Sequence, residues 1–119
     1  MHTEREHVKL LQIDFPYGGP WGEEMATIYS GLAEAIARTP GLVWKIWIES
    51  REDGRAGGIY LFTDEQSATN YLREHTARLN SFGVRDIRAR LFDVNSALNN
   101  VTRATFCSGQ SAQSASQGT

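Results

Sequence analysis

Residues 42–50 read LVWKIWIES, a β-branched and aromatic run too short for a helix between Pro40-Gly41 and the polar loop that follows. With two-residue alternation, one face of this strand carries Leu42, Trp44, Ile46 and Ile48, and the other carries Val43, Lys45, Trp47 and Glu49. A strand with one face in water does not put large apolar groups on both. The other apolar runs repeat the pattern. Leu11, Ile13 and Phe15 oppose Val8 and Leu10, and Ile59 and Leu61 oppose Tyr60 and Phe62. The chain must therefore build a sheet that is covered on both sides.

The order of elements says how. Val8–Phe15 is a first strand, ended by Pro16-Tyr17-Gly18-Gly19-Pro20. Trp21, Met25, Ile28, Tyr29, Leu32, Ala33 and Ile36 then recur at helical steps, predicting one amphipathic helix stopped by Thr39-Pro40-Gly41. The strand 42–50 turns at Asp53-Gly54 into Ala56–Phe62, where Gly57-Gly58 marks a bulge or a close backbone approach. Thr63-Asp64-Glu65-Gln66 reads as a capping box with Thr63 as the cap. A second helix follows, with Ala68, Tyr71, Leu72, His75 and Leu79 on one face and Gly83 as its left-handed stop. Val84–Val94 is the last strand, and Ser96–Asn100 adds a helical turn. This β-α-β-β-α-β order predicts an α+β, ferredoxin-like sandwich. Right-handed crossovers put both helices on one face of the sheet. The other face then needs a partner, and the economical reading is a homodimer joined sheet to sheet. The alternative is that the C-terminal segment folds over it.

A chain of 119 residues and 13.3 kDa fits a single core. Residues 8–103 are the expected domain, 1–7 a loose leader and 104–119 a disordered polar tail, since residues 108–119 read SGQSAQSASQGT. A net charge of −2 argues against nucleic-acid binding by phosphate neutralisation. No apolar run reaches the ~20 residues of a membrane span, and no signal-peptide pattern opens the chain. One cysteine, Cys107, allows neither an internal disulfide nor a cysteine-based zinc site. These features suggest a cytoplasmic protein.

The catalytic inventory is short. Gly18–Gly22 lacks the Lys-Ser/Thr of a phosphate loop, and there is no nucleophile elbow. His2 and His7 fall in or beside the leader with no third ligand at metal-binding spacing, so neither a metal nor another cofactor is expected. His75 stands apart on the inner face of the second helix. It is either a core histidine with its nitrogens satisfied or a proton acceptor or hydrogen-bond donor in a pocket. Trp44 and Trp47 lie on opposite strand faces, one for the core or a cavity and one for the dimer seam. Arg85, Arg88 and Arg90 read as solvated or interface charge, with Arg88 or Arg90 a lesser candidate for an anionic substrate.

The stretches GPWG (19–22), PGLVWKIW (40–47), GGIYLFTD (57–64), HTARL (75–79) and LFDVN (91–95) resemble the YdhR-type monooxygenase family, in collinear order over about Leu10 to Leu98. The resemblance implies a dimeric α/β barrel of ferredoxin-like subunits. It also implies a monooxygenase without a cofactor, acting with O2 on a small aromatic, phenolic or enolisable substrate. In such relatives an acidic C–H or O–H loses a proton and the electron-rich anion meets O2 directly. The protein deprotonates, stabilises the oxyanion and excludes water. On this sequence His75 is the expected base or hydrogen-bond partner. Tyr60 and one of Trp44 or Trp47 would line the cavity, and Phe15 would close its end. A cyclase, isomerase or lyase on the same scaffold would use His75 without O2, and a non-catalytic binder would show no turnover at all.

Overall fold

The computed structural model describes residues 8–104; the expected leader and all but the first residue of the expected tail lie outside the described residues. Four strands, β1 (Lys9–Pro16), β2 (Leu42–Ser50), β3 (Arg55–Phe62) and β4 (Arg88–Asp93), form one antiparallel sheet in the order β2-β3-β1-β4. This is the ferredoxin-like arrangement. The β2–β3 hairpin closes through Gly54, which has φ +69° and donates from its N–H to the Ser50 carbonyl at 2.8 Å. β1 enters between β3 and β4, with Leu11 facing Tyr60 on one side and Leu91 on the other.

Four helices, α1 (Gly22–Ile28), α2 (Ser30–Ala37), α3 (Glu65–Ser81) and α4 (Ser96–Val101), accompany the sheet. Ile36 from α2, together with Ala68 and Tyr71 from α3, joins Leu11, Ile13, Tyr60 and Phe62 in one buried cluster, with Leu32, Leu42 and Leu72 packed on it. The two crossover connections therefore cover the same face.

The details depart from the sequence pattern in four places. The single helix expected after β1 is two, because Tyr29 leaves helical dihedrals (φ −102°, ψ 15°) just before Ser30-Gly31, both weak helix formers. Hydrogen bonding still runs through the bend, Tyr29 N–H to Met25 O and Ala33 N–H to Tyr29 O, both at 2.9 Å. The cap of α3 is Asp64, not Thr63: its carboxylate accepts from Ser67 N–H at 2.7 Å, while Gln66 donates onward to Asn70. The bulge lies in β2, between Leu42 and Trp44, and turns Leu42 to the helix side; Gly57-Gly58 stays in register, and of its two readings the close backbone approach holds, Gly57 lying against the Ile13 carbonyl. Last, β4 starts at Arg88 rather than Val84. Asp86 adopts φ +58°, and Arg55 grips both its carbonyl (2.9 Å) and its carboxylate (3.2 Å), holding the chain off the ladder.

The register places Leu10, Trp44, Ile46, Ile59, Leu61 and Phe92 together on the sheet face away from these helices. Ile46 is 51% exposed and Phe92 40%, and Leu98 and Val101 of α4 are exposed as well. The described C-terminal segment thus leaves this part of the face open.

Candidate active site

Between the helix-side face of the sheet and the helices lies a cavity of about 550 Å³. Apolar walls come from Phe15, Met25, Leu32, Leu79, Phe82 and Val84. Its polar groups are Tyr17, Tyr29, Tyr60, His75, Arg78 and Lys45, and no lining residue is a carboxylate. A cavity of this size and character suits a small, largely apolar molecule held by a few polar contacts.

α3 carries His75 into this space. The imidazole is 6% exposed and stacks on Tyr71, with ring centroids 5.1 Å apart. Arg78, three residues on, donates from Nη2 to Nδ1 at 2.9 Å. A guanidinium has donors only, so Nδ1 is the lone-pair nitrogen and the neutral ring carries its proton on Nε2. Burial, then the charges of Arg78 and Lys45, push the imidazolium pKa down to about 4. The ring is therefore neutral at physiological pH, a weak base and a good N–H donor.

Lys45 reaches the cavity from β2. Its Nζ lies 3.4 Å from the Trp47 ring centroid and 4.8 Å from that of Tyr60. Burial and the charge of Arg78 bring its ammonium pKa down to about 7. Tyr71 OH donates to Tyr60 OH at 3.2 Å, and burial holds both phenols above their ordinary range. Tyr17 OH donates to the Pro20 carbonyl at 2.6 Å, and burial pushes its pKa up to about 12.

Of the residues singled out from the sequence, the fold brings His75, Tyr60, Trp47 and Phe15 to this one cavity. Trp44 is not in its wall. It pairs with Leu61 on the opposite sheet face, because residues three apart on a strand point to opposite sides and the bulge precedes Trp44. Arg85, Arg88 and Arg90 do not line it either; Arg88 borders a smaller cleft with Asp14 and Arg55. Sequence reasoning passed over Lys45 and Arg78. Lys45 shares the parity of Trp47, so the two go to one face, and the fold makes it the face the helices cover. Arg78 lay one helical turn after His75. Among the described residues, no three His, Cys, Asp or Glu side chains converge on a point where they could hold a metal ion, and no helix is long and apolar enough to cross a membrane.

The sheet order, the one-sided helices and the apolar, cation-bearing cavity define a ferredoxin-like α+β domain with an internal cavity. The family model described as "Putative mono-oxygenase ydhR" matches residues 10–105, and the chain belongs to that family. Among solved structures it is similar to SnoaB, a cofactor-independent oxygenase from Streptomyces nogalater, with TM-score 0.52, 21% identity, and 76% of this chain and 94% of that one covered. It is also similar to the monooxygenase of the gene ActVA-Orf6 from Streptomyces coelicolor, solved with Nanaomycin D, with TM-score 0.52, 18% identity and coverage of 76% and 89%. No curated protein matches the chain.

Proposed function

We propose that the protein is a monooxygenase that needs no cofactor and oxidises a small phenolic or enolisable aromatic molecule in the cavity between sheet and helices. The observation that carries this reading is the cavity's composition: aromatic and aliphatic walls, two basic side chains, one neutral imidazole and no carboxylate. Such a site favours a flat apolar molecule bearing one anionic oxygen. Family membership and the oxygenase named in the similar structure support the same chemistry.

Once deprotonated, such a molecule supplies its own electrons. The anion passes one electron to O2, the two radicals join as a carbon-bound peroxide anion, the proton first removed from the substrate returns to make the hydroperoxide, and loss of water leaves a carbonyl. An activated methylene group and one molecule of O2 thus become a carbonyl group and one molecule of water, so no external reductant is required. The chain's part is to bind, orient and stabilise the anion. His75 acts as a hydrogen-bond donor through Nε2–H rather than as a strong base, given its low basicity. Trp47 and Tyr60 wall the cavity beside the bound molecule, with the Lys45 amine over their faces, and Phe15 closes one end. The working protein is a homodimer in the cytoplasm, its second copy covering the open sheet face.

Oxygen uptake tests the reading. With an enolisable polycyclic phenol the protein consumes O2 and forms the carbonyl product, and His75→Ala lowers turnover about 10²-fold or more while remaining folded. His75→Gln, which keeps an N–H donor, recovers part of the rate. Conversion of the phenol without O2 uptake would point instead to an isomerase or lyase. Binding with no conversion would point to a carrier of hydrophobic molecules.

A further inference from the structure

We propose that Lys45 is the proton acceptor of this cavity: its amine takes the proton of an acidic phenol or enol, and the ammonium so formed holds the oxyanion. This inference rests on the oxygenase reading and deepens it. Geometry removes the other candidates. Arg78 has donors only. His75 has its one lone pair engaged by Arg78 Nη2 at 2.9 Å, so the nitrogen left for a ligand bears a proton. The tyrosines Tyr17, Tyr29 and Tyr60 are phenols themselves, and an un-ionised phenol offers no basic lone pair to take a proton from another; Tyr71 OH donates to Tyr60 OH, and Tyr17 OH to the Pro20 carbonyl. Lys45 makes no ion pair among the described residues, in a cavity whose wall holds no carboxylate.

The site around its amine is built. Nζ lies over the faces of both Trp47 and Tyr60, and Gly58 on the neighbouring strand leaves room for the stem, since a Cβ there would overlap Lys45 Cε. The titratable and charged groups facing it are Arg78 and His75 from α3 and Tyr60 from β3, with Tyr17 and Tyr29 elsewhere in the same wall. The ring faces favour the ammonium; burial and the Arg78 charge favour the free amine and set the balance near neutrality, at about 7. In the step itself the substrate O–H bond breaks and an N–H bond forms. The electron pair stays on oxygen, and no electron changes hands until O2 arrives.

The chain has two lysines, Lys9 and Lys45, so each reports on the other. In a lysine-labelled NMR titration of the unmodified protein, Lys45 should titrate at least two pH units below Lys9, whose ammonium is held high by Asp93 and Glu65. Titration of both together would overturn the proposal. The second measurement uses 2-naphthol, whose neutral and ionised forms absorb differently, at pH about 8, where the free phenol is mostly protonated. The protein should bind it as naphtholate and Lys45→Met as the neutral phenol, and the variant should lose about 10²-fold in kcat/KM for the oxidised phenol. If Lys45→Met still ionises naphthol and keeps full turnover, the assignment falls while the oxygenase reading stands. If Lys45 ionises naphthol but the unmodified protein consumes no O2 with any phenol offered, the oxygenase reading falls and the proton acceptor remains.

Discussion

Gly57 and Gly58 are neighbours in sequence, yet their missing side chains serve different ends. A Cβ on Gly57 would overlap the carbonyl oxygen of Ile13, which belongs to the central strand and cannot move without breaking the sheet. A Cβ on Gly58 would overlap Lys45 Cε and lie 3.0 Å from the Tyr60 ring, both ends of side chains. Gly57→Ala should therefore cost about 3 kcal/mol or more in urea unfolding, with Gly58→Ala costing less but displacing Lys45 and shifting its NMR titration. The same lysine leaves a mark on stability. Its pKa is about 7 in the fold against an ordinary 10.5, so between those limits the unfolded chain binds more protons. Stability should rise from pH 7 toward 10, where the buried tyrosines begin to oppose it, because they resist ionising in the fold. Lys45→Met should lack the rise and be more stable at neutral pH by about 1–3 kcal/mol, the scale of a removed buried polar group. His75 works at the acid side. Its folded pKa of about 4 lies below 6.5, so its contribution is whole above pH 6.5 and is lost as pH falls toward 4. His75→Ala should flatten that part of the curve. At this scale helical periodicity put His75 on the inner face of its helix, strand alternation set Trp44 and Trp47 on opposite faces without saying which was the inner one, and Lys45 was hidden. A lysine in an alternating strand looks like the solvated side until one knows which face the helices cover.

The elements show why boundaries are harder to read than identities. β2 was legible to the residue because Pro40-Gly41 and the Asp53-Gly54 turn bracket a run with no helical period. The bend at Tyr29 was not, since the apolar period continues unbroken across it. The cap of α3 was misplaced by one residue because Thr63 and Asp64 are both good caps, and only backbone geometry chooses between them. Asp64→Ala should accordingly lower stability by about 1 kcal/mol, and Thr63→Ala by less, in parallel thermal melts. The shortened β4 has a tertiary cause invisible in local pattern. Arg55 Nε donates to Asp14 at 2.5 Å while the same guanidinium holds Asp86. Side-chain exposure is 14% for Arg55 and 17% for Asp14, so Arg55→Ala would strand a mostly buried carboxylate. A lower urea midpoint is expected, with the Lys45 titration unchanged.

At the scale of the whole molecule, the sheet has one face packed by helices and one bearing Trp44, Ile46, Ile59 and Phe92. Apolar content on both sides of β2 was the feature most plainly written in the sequence, and the register assigns each side chain to its face. The proposed dimer predicts that Ile46→Glu yields a folded monomer in light scattering, whereas the unmodified protein runs at twice 13.3 kDa. A monomer before substitution would retire the dimer and leave the open face to some other cover. The sheet order also sets the tempo of birth. β1 is the first described strand to leave the ribosome, yet it lies between β3 and β4, and Leu11 must wait for both Tyr60 and Leu91. The β2–β3 hairpin can close by itself, while the central strand stays without its second neighbour until nearly the whole domain has been synthesised. Ribosome-stalled chains ending before Arg88 should thus remain open to protease at β1, and those carrying β4 clear of the exit tunnel should become resistant in a single step.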